Sequence, residues 1–170
     1  ILDKEGVVQD KHSRKYSISS CSDENTLLAR FLNSYQEIQP TIITGWNIDF
    51  FDIPYLYNRM VQVLGESRAR TLSPINDVIW LKHRNRYRIS GVSCLDYMAL
   101  YKNFTYNQES SYSLEAISQK ELGKGKLKYE GSLNDLMRDD IQGYIDYNMN
   151  DVDLVYEIDQ KMKLIDLARS

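Results

Sequence analysis

The chain carries no surplus of positive charge: its 21 Lys and Arg are outnumbered by 24 Asp and Glu, a formal charge of −3 over 170 residues. That excludes a surface that coats duplex DNA through general electrostatics, and leaves any nucleic-acid contact to local groups. Cysteine is nearly absent. Cys21 and Cys94 lie far apart, in stretches that read as strands, with no Cys-x-x-Cys and no matching histidines. This excludes a disulfide framework and a thiolate metal site, and leaves two reduced core thiols. No apolar run approaches the length of a membrane span, and no stretch of these residues reads as a signal peptide. There is no initiating methionine either: the chain opens Ile1-Leu2-Asp3 and reads as an excised segment of something longer. Its length suits one domain, residues 1–170, with a sizeable core.

What is present is organised around Thr41 to Met60, TIITGWNIDFFDIPYLYNRM. A β-branched run turns at Gly45 and resumes as a helical pattern from about Pro54, so the stretch reads as strand, loop, helix. Asp52 sits where strand gives way to helix, beside a proline suited to a first turn; it is either an N-terminal cap or a metal ligand. Before this stretch, residues 1–22 read as a strand end, a polar turn and a second strand over Tyr16 to Cys21. Asp3-Lys4-Glu5 reads there as a solvated turn, because Lys4 and Gly6 do not suit the middle of a buried strand. Ser22 to Gln39 is a helix capped by Ser22 or Asp23, with Leu27, Leu28, Phe31, Tyr35 and Ile38 as its apolar stripe. The helix after Asp52 places Leu56, Met60 and Leu64 on one face and ends at Gly65.

Val78 to Ile89 predicts a β-hairpin turning near Asn85, with Lys82, Arg84, Arg86 and Arg88 giving four positive charges and no acid. It is either an exposed edge ribbon kept soluble by charge or a phosphate-contacting finger. Gly91 to Tyr101 reads as a strand entering a short helix, with Asp96 at the helix start. Ser113 begins another helix, closed by Gly123, and a lysine-containing glycine loop follows. From about Asp139 to Asp166 the pattern predicts one long helix on which Tyr144, Tyr147, Asp151, Val155, Ile158 and Met162 share a stripe. Asp159 falls elsewhere and reads as solvated. A carboxylate such as Asp151 on a core-facing stripe requires a cation or several donors.

Asn47, Phe51 and Asp52 form Asn-x-x-x-Phe-Asp behind Gly45-Trp46, and this resembles the second exonuclease motif of family B DNA polymerases, especially the replicative polymerases of large tailed bacteriophages. Ser113-Leu114 resembles the family's Ser/Thr-Leu motif, Lys126 occupies the place of its lysine, and Tyr147-x-x-x-Asp151 resembles its third exonuclease motif. These follow one another in the family's order.

The resemblance implies a ribonuclease H-like α/β fold, with a mixed central sheet flanked by helices and a basic β-hairpin insertion. It implies a 3′–5′ proofreading exonuclease domain that hydrolyses the terminal phosphodiester of single-stranded DNA, with two magnesium or manganese ions. Asp52 and Asp151 would be metal ligands, Tyr147 would orient the attacking water and Lys126 would offset charge on the phosphate. Asn47, Phe51, Ser113 and Leu114 would hold the primer 3′ end. The family's first motif, Asp-x-Glu, is expected upstream; without it and its strand, the isolated segment is expected to be weak or inactive and prone to association. A polymerase domain in the same full-length chain is the implied partner, no membrane is involved, and the implied setting is the cytoplasm of a bacterial host during phage infection. The alternative is a non-catalytic nucleic-acid-binding module on the same fold.

Overall fold

The computed structural model describes residues 1–3, 6, 8, 11, 12 and 16–169. Among them the chain is mixed α/β and divides into two compact units, Ile1–Ile43 with Asp49–Cys94, and Thr44–Ile48 with Leu95–Ser170.

In the first unit β1 (Lys11–His12) and β2 (Ser17–Ile18) pair antiparallel, and Leu2 forms a parallel bridge with Cys21. The second strand is thus shorter than the Tyr16–Cys21 expected. Asp3 is 5 % exposed, not solvated: its Oδ2 accepts from Val8 N at 2.6 Å and Ser20 Oγ at 3.1 Å. Those donors replace the water that a turn position would have offered. Lys4 and Glu5 lie outside the described residues.

Helix α1 (Glu24–Ile38) starts at Asp23, which accepts from Thr26 N at 2.8 Å, and stops at Gln39, whose φ of 49° is left-handed. Pro40, next in line, cannot continue it. Leu28 and Leu32 are the residues it buries; Ile38, expected on the apolar stripe, is 74 % exposed. Ile38 is the last residue of the helix, while α1 packs on α2 (Asp52–Leu64), where Glu24 pairs with Arg59 at 2.5 Å, and Tyr35, on the expected stripe, donates to Leu72 O at 2.9 Å. On α2 the buried stripe is Ile53, Tyr57 and Met60, with Leu56 and Leu64 half-buried beside it. Short α3 (Glu66–Ala69) and a 3₁₀ turn (Arg70–Leu72) lead into the hairpin.

β3 (Ile42–Gly45) pairs with the later strand β6 (Ser93–Asp96), and the chain passes from one unit to the other within both. Between them in sequence lies the hairpin of β4 (Val78–Leu81) and β5 (Arg86–Ile89), in antiparallel register with Val78 opposite Ile89 and Leu81 opposite Arg86. Among the described residues the strands form three two-stranded pairs, not one mixed sheet. Each of these strands has four residues or fewer.

The second unit is helical: α4 (Tyr97–Phe104), α5 (Leu114–Leu122), α6 (Leu133–Asp139), α7 (Ile141–Met162) and α8 (Leu164–Arg169). Its core is Tyr97, Tyr101, Leu114, Ile117, Leu154, Val155, Ile158 and Leu164, with Trp46 packed against them. Trp46 faces Tyr97 and Tyr101 at 6.3 Å each and donates its indole N–H to Tyr112 O at 3.0 Å. The single long helix expected to Asp166 is two. Lys163 takes a left-handed φ of 56° and its N–H reaches Asp159 O, while Asp159 Oδ1 accepts from Ile165 N at 3.2 Å and the Tyr97 hydroxyl at 3.0 Å. Asp159 is therefore the fastening of this break rather than a solvated acid, because it supplies the acceptor that the interrupted helix no longer provides.

Candidate active site

Asp52 is the first residue of α2, and the N-cap position before it belongs to Phe51, which has no side-chain acceptor. The cap reading of Asp52 is thereby overturned; its exposed carboxylate sits in the first turn, where the helix dipole favours negative charge. Phe51 is 67 % exposed, so it is not a core residue. Its ring lies parallel to that of Tyr55, at 8° and 6.5 Å between centroids.

In the second unit, Asn47 has a φ of 62° and donates its backbone N–H to Asp96 Oδ1 at 3.1 Å. The same oxygen accepts from Met98 N at 3.0 Å and Ala99 N at 3.3 Å, so Asp96 caps α4, as its position predicts, and also fixes the turn that carries Asn47. Ser113 caps α5, accepting from Ala116 N at 3.1 Å, and Leu114 beside it is buried in the core.

Lys126, Tyr147 and Asp151 come together. Lys126 Nζ lies 2.8 Å from Asp151 Oδ2 and 4.9 Å from the centre of the Tyr147 ring. Burial disfavours the Lys126 charge, but hydrogen bonds to Asp151 and Tyr147 and the Asp151 charge outweigh it, and the ammonium pKa lies above the ordinary lysine value. This lysine is not a solvated loop residue, because its loop is tied down. Lys126 N donates to Glu115 Oε2 at 2.5 Å, Asn150 reaches Gly125 O at 3.5 Å, and Lys124 pairs with Glu157 at 2.6 Å. Gly125 permits the approach, since a Cβ there would run into the Glu115 carboxylate and the Gln119 amide. Tyr147 is 9 % exposed, and its ring meets that of Tyr129 edge to face at 5.1 Å. Glu115, Asn150 and Tyr129 are missed by sequence reasoning. Of their roles only one had a signal, the bare glycine before Lys126.

Asp151 Oδ2 takes the lysine, whereas Oδ1 is buried and has no hydrogen-bond partner among the described residues. An acceptor-only oxygen held away from donors suits a hard cation such as magnesium or manganese. Among the described residues no three His, Cys, Asp or Glu side chains converge as a metal centre.

The hairpin forms as expected, with Asn85 at a φ of 50° in its turn, but its charge is not all outward. Arg86 pairs with Asp49, which is 5 % exposed, and Arg88 lies 3.9 Å from Asp77. Both acids are outside the hairpin's own sequence, which is why it looked unopposed. Tyr87 holds the ribbon to α2, contacting Tyr57 at 4.7 Å and donating to Asn58 Oδ1 at 2.8 Å. A cavity of about 370 Å³ opens beside it, lined by Asp49, His83, Arg84, Arg86 and Cys94 among others. Both cysteines are free thiols. No helix among the described residues is long and apolar enough to cross a membrane.

Residues 2–117 match the model of the exonuclease domain of DNA polymerase family B. The chain is 43 % identical over 152 residues to the DNA-directed DNA polymerase of Escherichia phage RB69, and 42 % over 154 residues to that of Enterobacteria phage T4. These matches cover 86 % and 87 % of the chain. It is 27 % identical over 134 residues to the catalytic polypeptide of DNA polymerase epsilon from Saccharomyces cerevisiae, covering 78 % of the chain and 6 % of that polypeptide. The chain spans 17 % of the length of the two phage polymerases. Since the family match covers well over half of its residues, the chain belongs to the exonuclease domain family of the family B DNA polymerases.

Proposed function

We propose that this chain is a 3′–5′ proofreading exonuclease domain with a ribonuclease H-like fold, removing nucleotides from the 3′ end of single-stranded DNA. The reading is carried by one observation: Asp151 offers a buried oxygen without a donor while its other oxygen is held by Lys126 over Tyr147. Asp52 and Asp151 are the proposed ligands of two divalent ions, magnesium or manganese. When bound, such ions supply an activated water and neutralise charge at the phosphate.

The chain's own groups do the rest. Lys126 keeps Asp151 in place with one N–H and has further donors for a phosphate oxygen that gains charge. Tyr147, fixed by Tyr129, turns its hydroxyl to orient the attacking water. Asn47, set by its left-handed turn, hydrogen-bonds a terminal nucleotide, and Phe51 stacks on a base. Ser113 keeps its hydroxyl proton to donate to the strand, with Leu114 anchoring that position from the core. The polymerase domain of a longer chain and the cytoplasm of a phage-infected bacterium are the proposed setting, by likeness to the phage polymerases.

The absence of a three-residue ligand cluster among the described residues favours one competitor, a binding module without catalysis. The test is a 3′-labelled single-stranded oligonucleotide with manganese at protein excess. Slow stepwise shortening is expected, lost in both Asp52→Ala and Asp151→Ala. Shortening that persists in either variant refutes the assignment, and binding without shortening that persists when the upstream segment is restored selects the module.

A further inference from the structure

We infer that Phe51 and Tyr55 form a clamp for one unpaired nucleobase, with Tyr55 as a positioning residue in the strand-binding path. The inference rests on the reading of Phe51 as a strand contact and extends it to a residue outside the motif. Three aromatic side chains within six residues, Phe50, Phe51 and Tyr55, are 56 %, 67 % and 64 % exposed. Single exposed apolar side chains are ordinary, but a cluster of large ones marks a contact surface.

The geometry says what fits. Tyr55 N donates to Phe51 O at 3.1 Å, so the two residues are joined by one helical turn and their rings stand on one face. The rings are parallel within 8° and their centroids are 6.5 Å apart, near the far end of the range for an offset aromatic pair. The gap between the ring planes is therefore at most 6.5 Å, and the exposed Tyr55 side chain swings outward to open it to the ~6.8 Å, twice the ~3.4 Å rise per base, that one inserted base requires. Neither ring presents a hydrogen-bonding edge pattern to a stacked base, so the clamp accepts any base, as removal of successive nucleotides requires. Asp52 follows Phe51 directly, which puts the clamped nucleotide at the turn that carries the proposed metal ligand.

The experiment measures binding of a labelled thymidine oligonucleotide in EDTA, so that no hydrolysis intervenes, to the unmutated chain and to Tyr55→Phe, Tyr55→Leu, Tyr55→Ala and Phe51→Ala. Loss of one stacking face is expected to weaken binding roughly 5- to 150-fold in Tyr55→Ala, converting ~1–3 kcal/mol per stacked base. Tyr55→Phe should bind within about twofold of the unmutated chain, whereas Tyr55→Leu, which keeps apolar volume without a flat face, should fall with Tyr55→Ala. Oligonucleotides with a single abasic position are then scanned from the 3′ end. At one position the abasic DNA should bind the unmutated chain and Tyr55→Ala equally, because the base that Tyr55 contacts is gone. A Tyr55→Ala affinity equal to that of the unmutated chain, with Phe51→Ala still weakened, overturns the clamp and spares the proposed function. So does a Tyr55→Ala defect that is the same at every abasic position. Failure of the unmutated chain to bind single-stranded DNA overturns both.

Discussion

Replacing Lys126 with methionine keeps most of the apolar stem and removes the charge that faces Asp151. The two side chains are 29 % and 27 % exposed, which places the pair between two regimes. Fully exposed pairs contribute ~0–1 kcal/mol, and breaking a buried pair costs ~3–5 kcal/mol. The hydrogen bond at 2.8 Å joins two charged groups, and Asp151 Oδ1 is already without a donor, so the substitution leaves both oxygens of that carboxylate unmatched. A loss of ~1–3 kcal/mol follows, the range for hydrogen bonds to charged groups after partial solvent relief. At ~2–4 °C per kcal/mol for a chain of this size, the melting temperature should fall by about 2–12 °C. The assay is a double-mutant cycle in urea with Lys126→Met, Asp151→Asn and both, all carrying the same fluorescent signal. A coupling energy of at least ~1 kcal/mol is expected; additivity within ~0.5 kcal/mol would show that the contact does not hold the loop against α7. A Tyr147→Leu arm separates the ring's share, which should be ~0.5–1 kcal/mol.

Two further outcomes are expected. Burial, then the hydrogen bond to Glu121 and its charge, pushes the Tyr101 phenol up from 10.0 to about 12, so its contribution to stability is whole below pH 10 and fades as pH rises toward 12. The urea midpoint of the unmutated chain should therefore drop across that window more steeply than that of Tyr101→Phe, and parallel curves would refute the assignment. Gly125→Ala should push the loop off Glu115 and lower stability by about 1–3 kcal/mol, with the Lys126→Met effect much reduced in that background; an unchanged urea midpoint would mean that the close approach does not matter.

Local signals carried the helices well. Asp23, Asp96 and Ser113 cap α1, α4 and α5, Gly123 closes α5 in a left-handed conformation, and the hairpin turns where Asn85 allows it. Each of these depends on residues within a few positions, which is what a linear pattern contains. The motif residues Lys126, Tyr147 and Asp151 were also legible as types in order, and the structure brings them into contact. What escaped depends on partners distant in sequence. Asp159 looked solvated because Tyr97, its donor, stands 62 positions away. Arg86 looked like part of an unopposed basic patch because Asp49 lies 37 positions earlier. The break at Lys163 escaped because apolar residues continue past it at helical spacing, and periodicity does not register one left-handed residue. On α1 the expected stripe found Leu28 but missed Leu32, the other residue that helix buries.

The division of the chain also bears on the order in which it folds as it is made. The five residues Thr44–Ile48 belong to a unit whose other members begin at Leu95, and Trp46 among them rests on Tyr97, Tyr101 and Tyr112. At roughly 5–20 residues per second, a ribosome would present this tryptophan seconds before the rings that receive it exist. During that interval Trp46 lacks the core it packs against in the folded chain. A cut between Cys94 and Leu95 does not release the second unit intact, because its indole leaves with the first. The two units can be told apart by their contacts, but no single cleavage of the chain separates them.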